Sequence, residues 1–111
     1  MLLEVHERIG LLNLLPTKED FKALKTIRET REILAFQPDE IEGLNLKNQT
    51  TADGTPQVVW DSAKAGEYTK ELPIPRYAEE LFREKLIQLN SKHELTEALF
   101  SLYEKLVIAY A

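Results

Sequence analysis

The chain has 111 residues, no cysteine and a net charge of −5. That length suits one hydrophobic core, and the missing cysteines exclude a disulfide scaffold, a Cys-based zinc site and a thiol nucleophile. With 43% hydrophobic and 30% charged residues the mixture is an ordinary globular one, and its acidic balance argues against broad electrostatic binding to nucleic acid.

Leu2, Val5, Ile9 and Leu12 recur at helical spacing and predict a first helix over Leu2 to Leu15. Pro16 ends it, because the residue before a proline is pushed out of the α region. Thr17 then reads as an N-cap, with Asp20 three residues on, for a second helix from Lys18 to about Ala35. Phe21, Leu24, Ile27 and Leu34 mark its expected buried stripe. Lys25 to Glu29 and Arg28 to Glu32 stand at i,i+4 on its outer side, worth only ~0.2–0.5 kcal/mol each. Gln37-Pro38-Asp39-Glu40 opens a short third helix, since proline in the first turn has no N–H to lose and acids suit the positive helix end. Gly43 suggests where that helix stops.

Lys47 to Pro56 is polar and rich in turn formers, which predicts a loop. Val58-Val59-Trp60 predicts a short strand, and the alternation of Tyr68, Leu72 and Ile74 predicts its partner. Pro73 and Pro75 would confine that second strand to an edge. Pro75 then opens a fourth helix with Ala78, Leu81, Phe82, Leu86 and Leu89 facing inward. A fifth begins between Ser91 and Thr96, with Leu95, Leu99, Leu102, Leu106 and Ala109 as its stripe. The expected architecture is one α+β domain over residues 1–111, mainly helical, with about five helices. An N-terminal pair and a short third helix precede one two-stranded antiparallel hairpin, and a C-terminal pair follows it.

No apolar run is long enough to span a bilayer, and the N-terminus lacks the basic start and apolar stretch of a signal peptide, so a cytoplasmic protein is expected. Catalytic signals are missing. His6 and His93 belong to no metal spacing and read as surface or cap histidines. The acids at Asp39-Glu40-Glu42 and Glu79-Glu80 fall where helix starts favour negative charge. Gly10, Gly43, Gly54 and Gly66 are scattered, so no phosphate loop forms, and Ser62, Ser91 and Ser101 have no well-placed histidine in the sequence. The expectation is a protein without catalytic residues, metal or cofactor.

Two features invite binding. Lys25, Arg28 and Arg31 follow one another every three residues as an oblique basic ridge on helix two, with Lys47 beyond, fit for phosphate, a nucleotide or an acidic partner. The competing reading is a solvated face neutralised by Glu19, Asp20, Glu29 and Glu32. Trp60 is either a core anchor or a contact residue, and Tyr68 would extend the surface. Near the C-terminus Tyr103, Val107 and Tyr110 form a flank beside the core stripe that would continue the core or join a second copy in a homodimer.

The order of several motifs is also informative. Glu7-Arg8 followed by Leu11-Leu12-Asn13-Leu14-Leu15-Pro16 resembles the opening of a family of small phage and prophage accessory proteins. The resemblance continues through Leu24-Lys25, Arg28, Arg31-Glu32, Glu40-Ile41 and Leu44-Asn45-Leu46-Lys47, then Trp60 and Leu102-Tyr103-Glu104-Lys105. It implies origin and architecture rather than a mechanism. The expected role is a non-enzymatic accessory protein that binds a host or phage protein, for example to inhibit a defence or host factor. A nucleotide or nucleic-acid binder using the basic ridge is the alternative, and a virion or assembly component a further one.

Overall fold

The computed structural model describes residues 1–109, so Tyr110, one of the self-association candidates, lies outside the described residues. The architecture is α+β and mainly helical, with five helices and two small two-stranded antiparallel sheets among the described residues. One core cluster runs from Leu3 through Leu11, Ile27, Leu34, Phe82 and Leu102 to Val107.

The first residues are not helical as expected. Leu2–Leu3 form strand β1, which pairs with a second two-residue strand, β4 (Lys70–Glu71), Leu3 opposite Lys70. Helix α1 spans Val5–Leu14, and Glu4 is its N-cap in a capping box with Glu7. Leu15 turns extended before Pro16, as the proline requires. Helix α2 spans Phe21–Leu34, and its cap is Asp20 rather than Thr17: the Asp20 carboxylate accepts the Ala23 N–H at 2.8 Å. The buried stripe is Ala23, Ile27, Thr30 and Leu34, at i, i+4, i+7 and i+11. Phe21, expected inside, is 86% exposed.

Helix α3 (Pro38–Leu44) carries the Gln37–Glu40 capping box and ends on Asn45, whose φ of 53° is left-handed. Gly43 is needed for a close approach, not for the stop. A Cβ there would overlap the Tyr68 hydroxyl and lie 2.7 Å from its Cζ.

Strands β2 (Lys47–Thr50) and β3 (Pro56–Val59) make a hairpin in which Asn48 faces Val58 and Gln49 faces Gln57. The expected polar loop is therefore half of the hairpin. Its turn is closed by Thr51 N–H to Thr55 O at 3.0 Å, by Asp53, which accepts from the Thr51 hydroxyl and the Thr55 N–H, and by Gly54 at φ 87°. The residues around Tyr68 do not pair with Trp60; Ala65–Tyr68 is a 3₁₀ turn that leads into β4.

Helix α4 (Arg76–Ser91) buries Ala78, Phe82 and Leu86, as its spacing predicts. The final helical segment changes pitch twice: a 3₁₀ turn (Glu97–Leu99), helix α5 (Phe100–Tyr103) and a π-turn (Glu104–Ile108). The wider i→i+5 turn lets consecutive residues, Leu106 and Val107, both enter the core.

One charged junction lies inside this fold. Arg8, 1% exposed, donates from Nη1 to Glu40 Oε2 at 2.6 Å and from Nη2 to Ala35 O at 2.8 Å, while its Nε donates to Leu34 O at 3.2 Å. The guanidinium also stacks 4.0 Å from the Phe36 ring centre. A single side chain of α1 thus closes the carbonyl end of α2 and neutralises the acid at the start of α3. Burial alone would raise the Glu40 carboxyl; the hydrogen bonds from Arg8 and the Gln37 N–H, with the charges of Arg8 and Lys70, outweigh it and hold the group below its usual value.

Candidate functional site

The outer face of α2 is the first candidate. With the stripe of Ala23, Ile27, Thr30 and Leu34 turned inward, Phe21, Lys25, Arg28 and Glu32 fall at i, i+4, i+7 and i+11 on the opposite side. Leu24, Glu29 and Arg31 flank them, and together they line a shallow groove of about 460 Å³. Lys25, Arg28 and Arg31 thus share one groove, with the Phe21 ring at its head. Lys25, Arg28 and Arg31 form no ion pair among the described residues, so the expected neutralisation by Glu29 and Glu32 is not made through direct pairs. A solvated guanidinium beside an exposed ring can engage carboxylates bidentately while the ring supplies apolar area.

A second cleft of about 590 Å³ lies between α1, the β2–β3 hairpin and the 3₁₀ turn at Glu97–Leu99. Trp60 lines it and is half-buried. Asn13, Asn48, Thr96 and Leu99 also line it, with His6 among the α1 residues. Tyr68 is not part of it, nor are Lys25, Arg28, Arg31 and Lys47. Trp60 therefore lines a different groove from the ridge, and Tyr68 lines neither.

The C-terminal flank is largely taken up by the fold. Val107 is buried in the core, and Tyr103 is half-buried against it, its hydroxyl accepting from Asn90 Nδ2 at 3.3 Å. Val107 is thus corrected from a self-association candidate to a core residue.

Polar contacts missed by the sequence cluster where α1 meets the final segment. His6 Nε2 is 3.3 Å from Ser101 Oγ, across 95 positions of chain. Its Nδ1 lies 4.0 Å from Glu4 Oε2, too far for a hydrogen bond, so no nucleophile–base–acid relay is assembled. Glu4, His6 and Glu7 do bring one donor atom each within 4.8 Å of one another, the one such group among the described residues. The capping box and Lys105 already engage both carboxylates.

Glu7 is fully buried. Its Oε1 accepts the Glu4 N–H at 2.9 Å and Lys105 Nζ at 2.6 Å, and Lys105 also donates to Leu2 O at 2.9 Å. Burial pushes the Glu7 carboxyl up, but the bonds from Glu4 and Lys105, the nearby Ser101 hydroxyl and the Lys105 charge leave it lowered. The Ser101 hydroxyl does this without closing a hydrogen bond to Oε2, which has no partner.

Glu7 and Glu40 ordinarily titrate near 4.5 and both lie lower in the folded protein. A carboxyl held low stabilises the fold above its unfolded value, and that contribution is lost as pH falls through the folded value. The urea midpoint should therefore be steady above about pH 5.5 and drop progressively below about pH 4.5. A midpoint unchanged down to about pH 3 would contradict the depressed values.

Comparison with protein-family models, curated proteins and solved structures finds no match. Among the described residues, no helix is long and apolar enough to cross a membrane.

Proposed function

We propose that the protein is a non-enzymatic binding module that holds an acidic segment of a partner protein against the outer face of α2. The observation that carries this reading is Phe21, 86% exposed at the head of a groove where Lys25, Arg28 and Arg31, which make no ion pair among the described residues, outnumber Glu29 and Glu32. Aromatic and arginine side chains dominate the binding energy of protein interfaces, and among the described residues Phe21 is the most exposed of the large hydrophobic side chains. Lys25, Arg28 and Arg31 supply the charge complementarity that orients an acidic partner. On the resemblance of the sequence to small phage and prophage accessory proteins, the partner is a host or phage protein in the bacterial cytoplasm.

The test is affinity capture from bacterial lysate with the natural chain and with Phe21→Ala and Arg28→Glu variants, followed by affinity measurement on the captured protein. Phe21→Ala should weaken binding by about 2 kcal/mol, roughly 30-fold, with an unchanged circular dichroism spectrum. Equal capture by both variants would remove α2 from the interface.

The unpaired cations also favour a second reading, a binder of nucleic acid through the same ridge. Three phosphate contacts would make affinity for duplex DNA fall roughly 40-fold between about 50 and 200 mM salt. A salt-independent affinity excludes that mechanism. The ridge has Phe21 as its aromatic neighbour and not Trp60, so a single site uniting Arg28 with Trp60 is not available.

A further inference from the structure

The cleft beside Trp60 differs in chemistry from the rest of the surface. Although 30% of the chain is charged, no Lys, Arg, Asp or Glu lines it. Its volume of about 590 Å³ falls in the range of small-molecule sites, which combine apolar walls with a few polar groups. The walls are built by different parts of the chain. The hairpin contributes the cross-strand pairs Asn48–Val58 and Gln49–Gln57, and Trp60 follows directly after β3. Asn13 and Leu14 come from the last turn of α1, and Thr96 and Leu99 from the start of the final segment.

Trp60 is mostly covered by the fold, and it lines the cleft with the part that remains exposed. Such a ring is a stacking platform for a flat ligand, and its π-face does not require charge. A carboxamide offers a donor and an acceptor side by side, the pattern that reads the edge of a nucleobase. The lining offers phosphate no Lys or Arg and only His6 as a titratable group, so an anion entering there would lose its hydration for little compensation.

We propose that this cleft binds a neutral nucleoside or free nucleobase, stacked on Trp60 with its edge toward Asn13 and Asn48. The inference is independent of the protein interface on α2. It also separates nucleoside from nucleotide, because the basic ridge lies in a different groove.

Trp60 is the one tryptophan of the chain, so its emission reports on this cleft alone. Titration of the 111-residue chain with adenosine, guanosine, cytidine and uridine should quench Trp60 emission saturably for at least one of them. The corresponding monophosphate should bind at least about 10-fold more weakly, the difference a single uncompensated charge makes. Asn13→Ala, at an exposed position on α1, should weaken the preferred nucleoside about 10-fold, the loss of one good hydrogen-bonded edge, with the thermal midpoint unchanged. Side-chain amide resonances of Asn13 and Asn48 should shift together on addition of that nucleoside. The proposal is overturned by the absence of saturable quenching at millimolar nucleoside, by tighter binding of the monophosphate, or by a response to maltotriose without one to any nucleoside.

Discussion

Replacing Arg8 with methionine should lower the unfolding free energy by about 3–5 kcal/mol, read as a reduced urea midpoint at unchanged slope. The reason is the state in which it leaves its neighbours. Glu40 is 4% exposed, and without Arg8 its carboxylate keeps one close cation no nearer than Lys70 at 4.0 Å. Leu34 O and Ala35 O lose the donors that close the end of α2. Glu40→Leu should cost a similar amount by stranding the guanidinium beside Phe36. The double replacement, Arg8→Met with Glu40→Leu, removes both charges and should recover most of the loss, since a buried ion pair adds little over well-packed apolar groups. Strict additivity of the two single effects would show that the side chains are not coupled. Against a total of about 5–15 kcal/mol for a domain, either single change removes a large share of the stability.

Lys105→Met should cost on the order of 2–3 kcal/mol, less than the Arg8 change because the lysine itself is partly solvated. It strands Glu7, which has no exposure and whose Oε2 already lacks a partner. With the lysine gone, burial dominates and raises the Glu7 carboxyl, so the penalty should shrink as pH is lowered and Glu7 takes up a proton. Adding Glu7→Gln to Lys105→Met should restore more than half of the loss at pH 7. If the urea midpoint of Lys105→Met instead tracks that of the natural chain at a constant offset from pH 7 to about pH 4, the stranded carboxylate is not the cause.

These two junctions show what the sequence conceals. Periodicity located all five helices, because leucines at helical spacing and proline punctuation act locally. It assigned no partner to Glu7 or Arg8 and read Glu40 only as an acid at a helix start, since the partners of these side chains lie 32 or 98 positions away. The hairpin failed for a different reason. All four residues of Lys47–Thr50 are exposed, so no alternation marks them as a strand, and only pairing with Pro56–Val59 makes them one. Strand β1 has two residues and exists through a partner near residue 70. Phe21 was misplaced by a stripe shared through Ile27 and Leu34. The alternative stripe, in which Ala23 and Thr30 replace Phe21 and Leu24, was available from the same spacing. Its small and polar members gave it less weight. The basic ridge on α2 was legible because it depends on helix geometry alone, whereas the cleft at Trp60 needs three distant segments to meet.

The meeting of the first helix with the last has a consequence for synthesis on the ribosome. Leu3, Leu11 and Leu14 emerge first, yet Leu102, Leu106 and Val107, members of the same core cluster, are made nearly a hundred residues later. Lys105 and Ser101, which engage Glu7 and His6, come equally late. Until then the apolar side of α1 has no complete cover, and the chain must wait for its distal segment before folding becomes cooperative. Vectorial translation therefore offers this protein little chance to fold in stages, and a stall before residue 102 leaves a nascent chain that depends on chaperones to stay soluble.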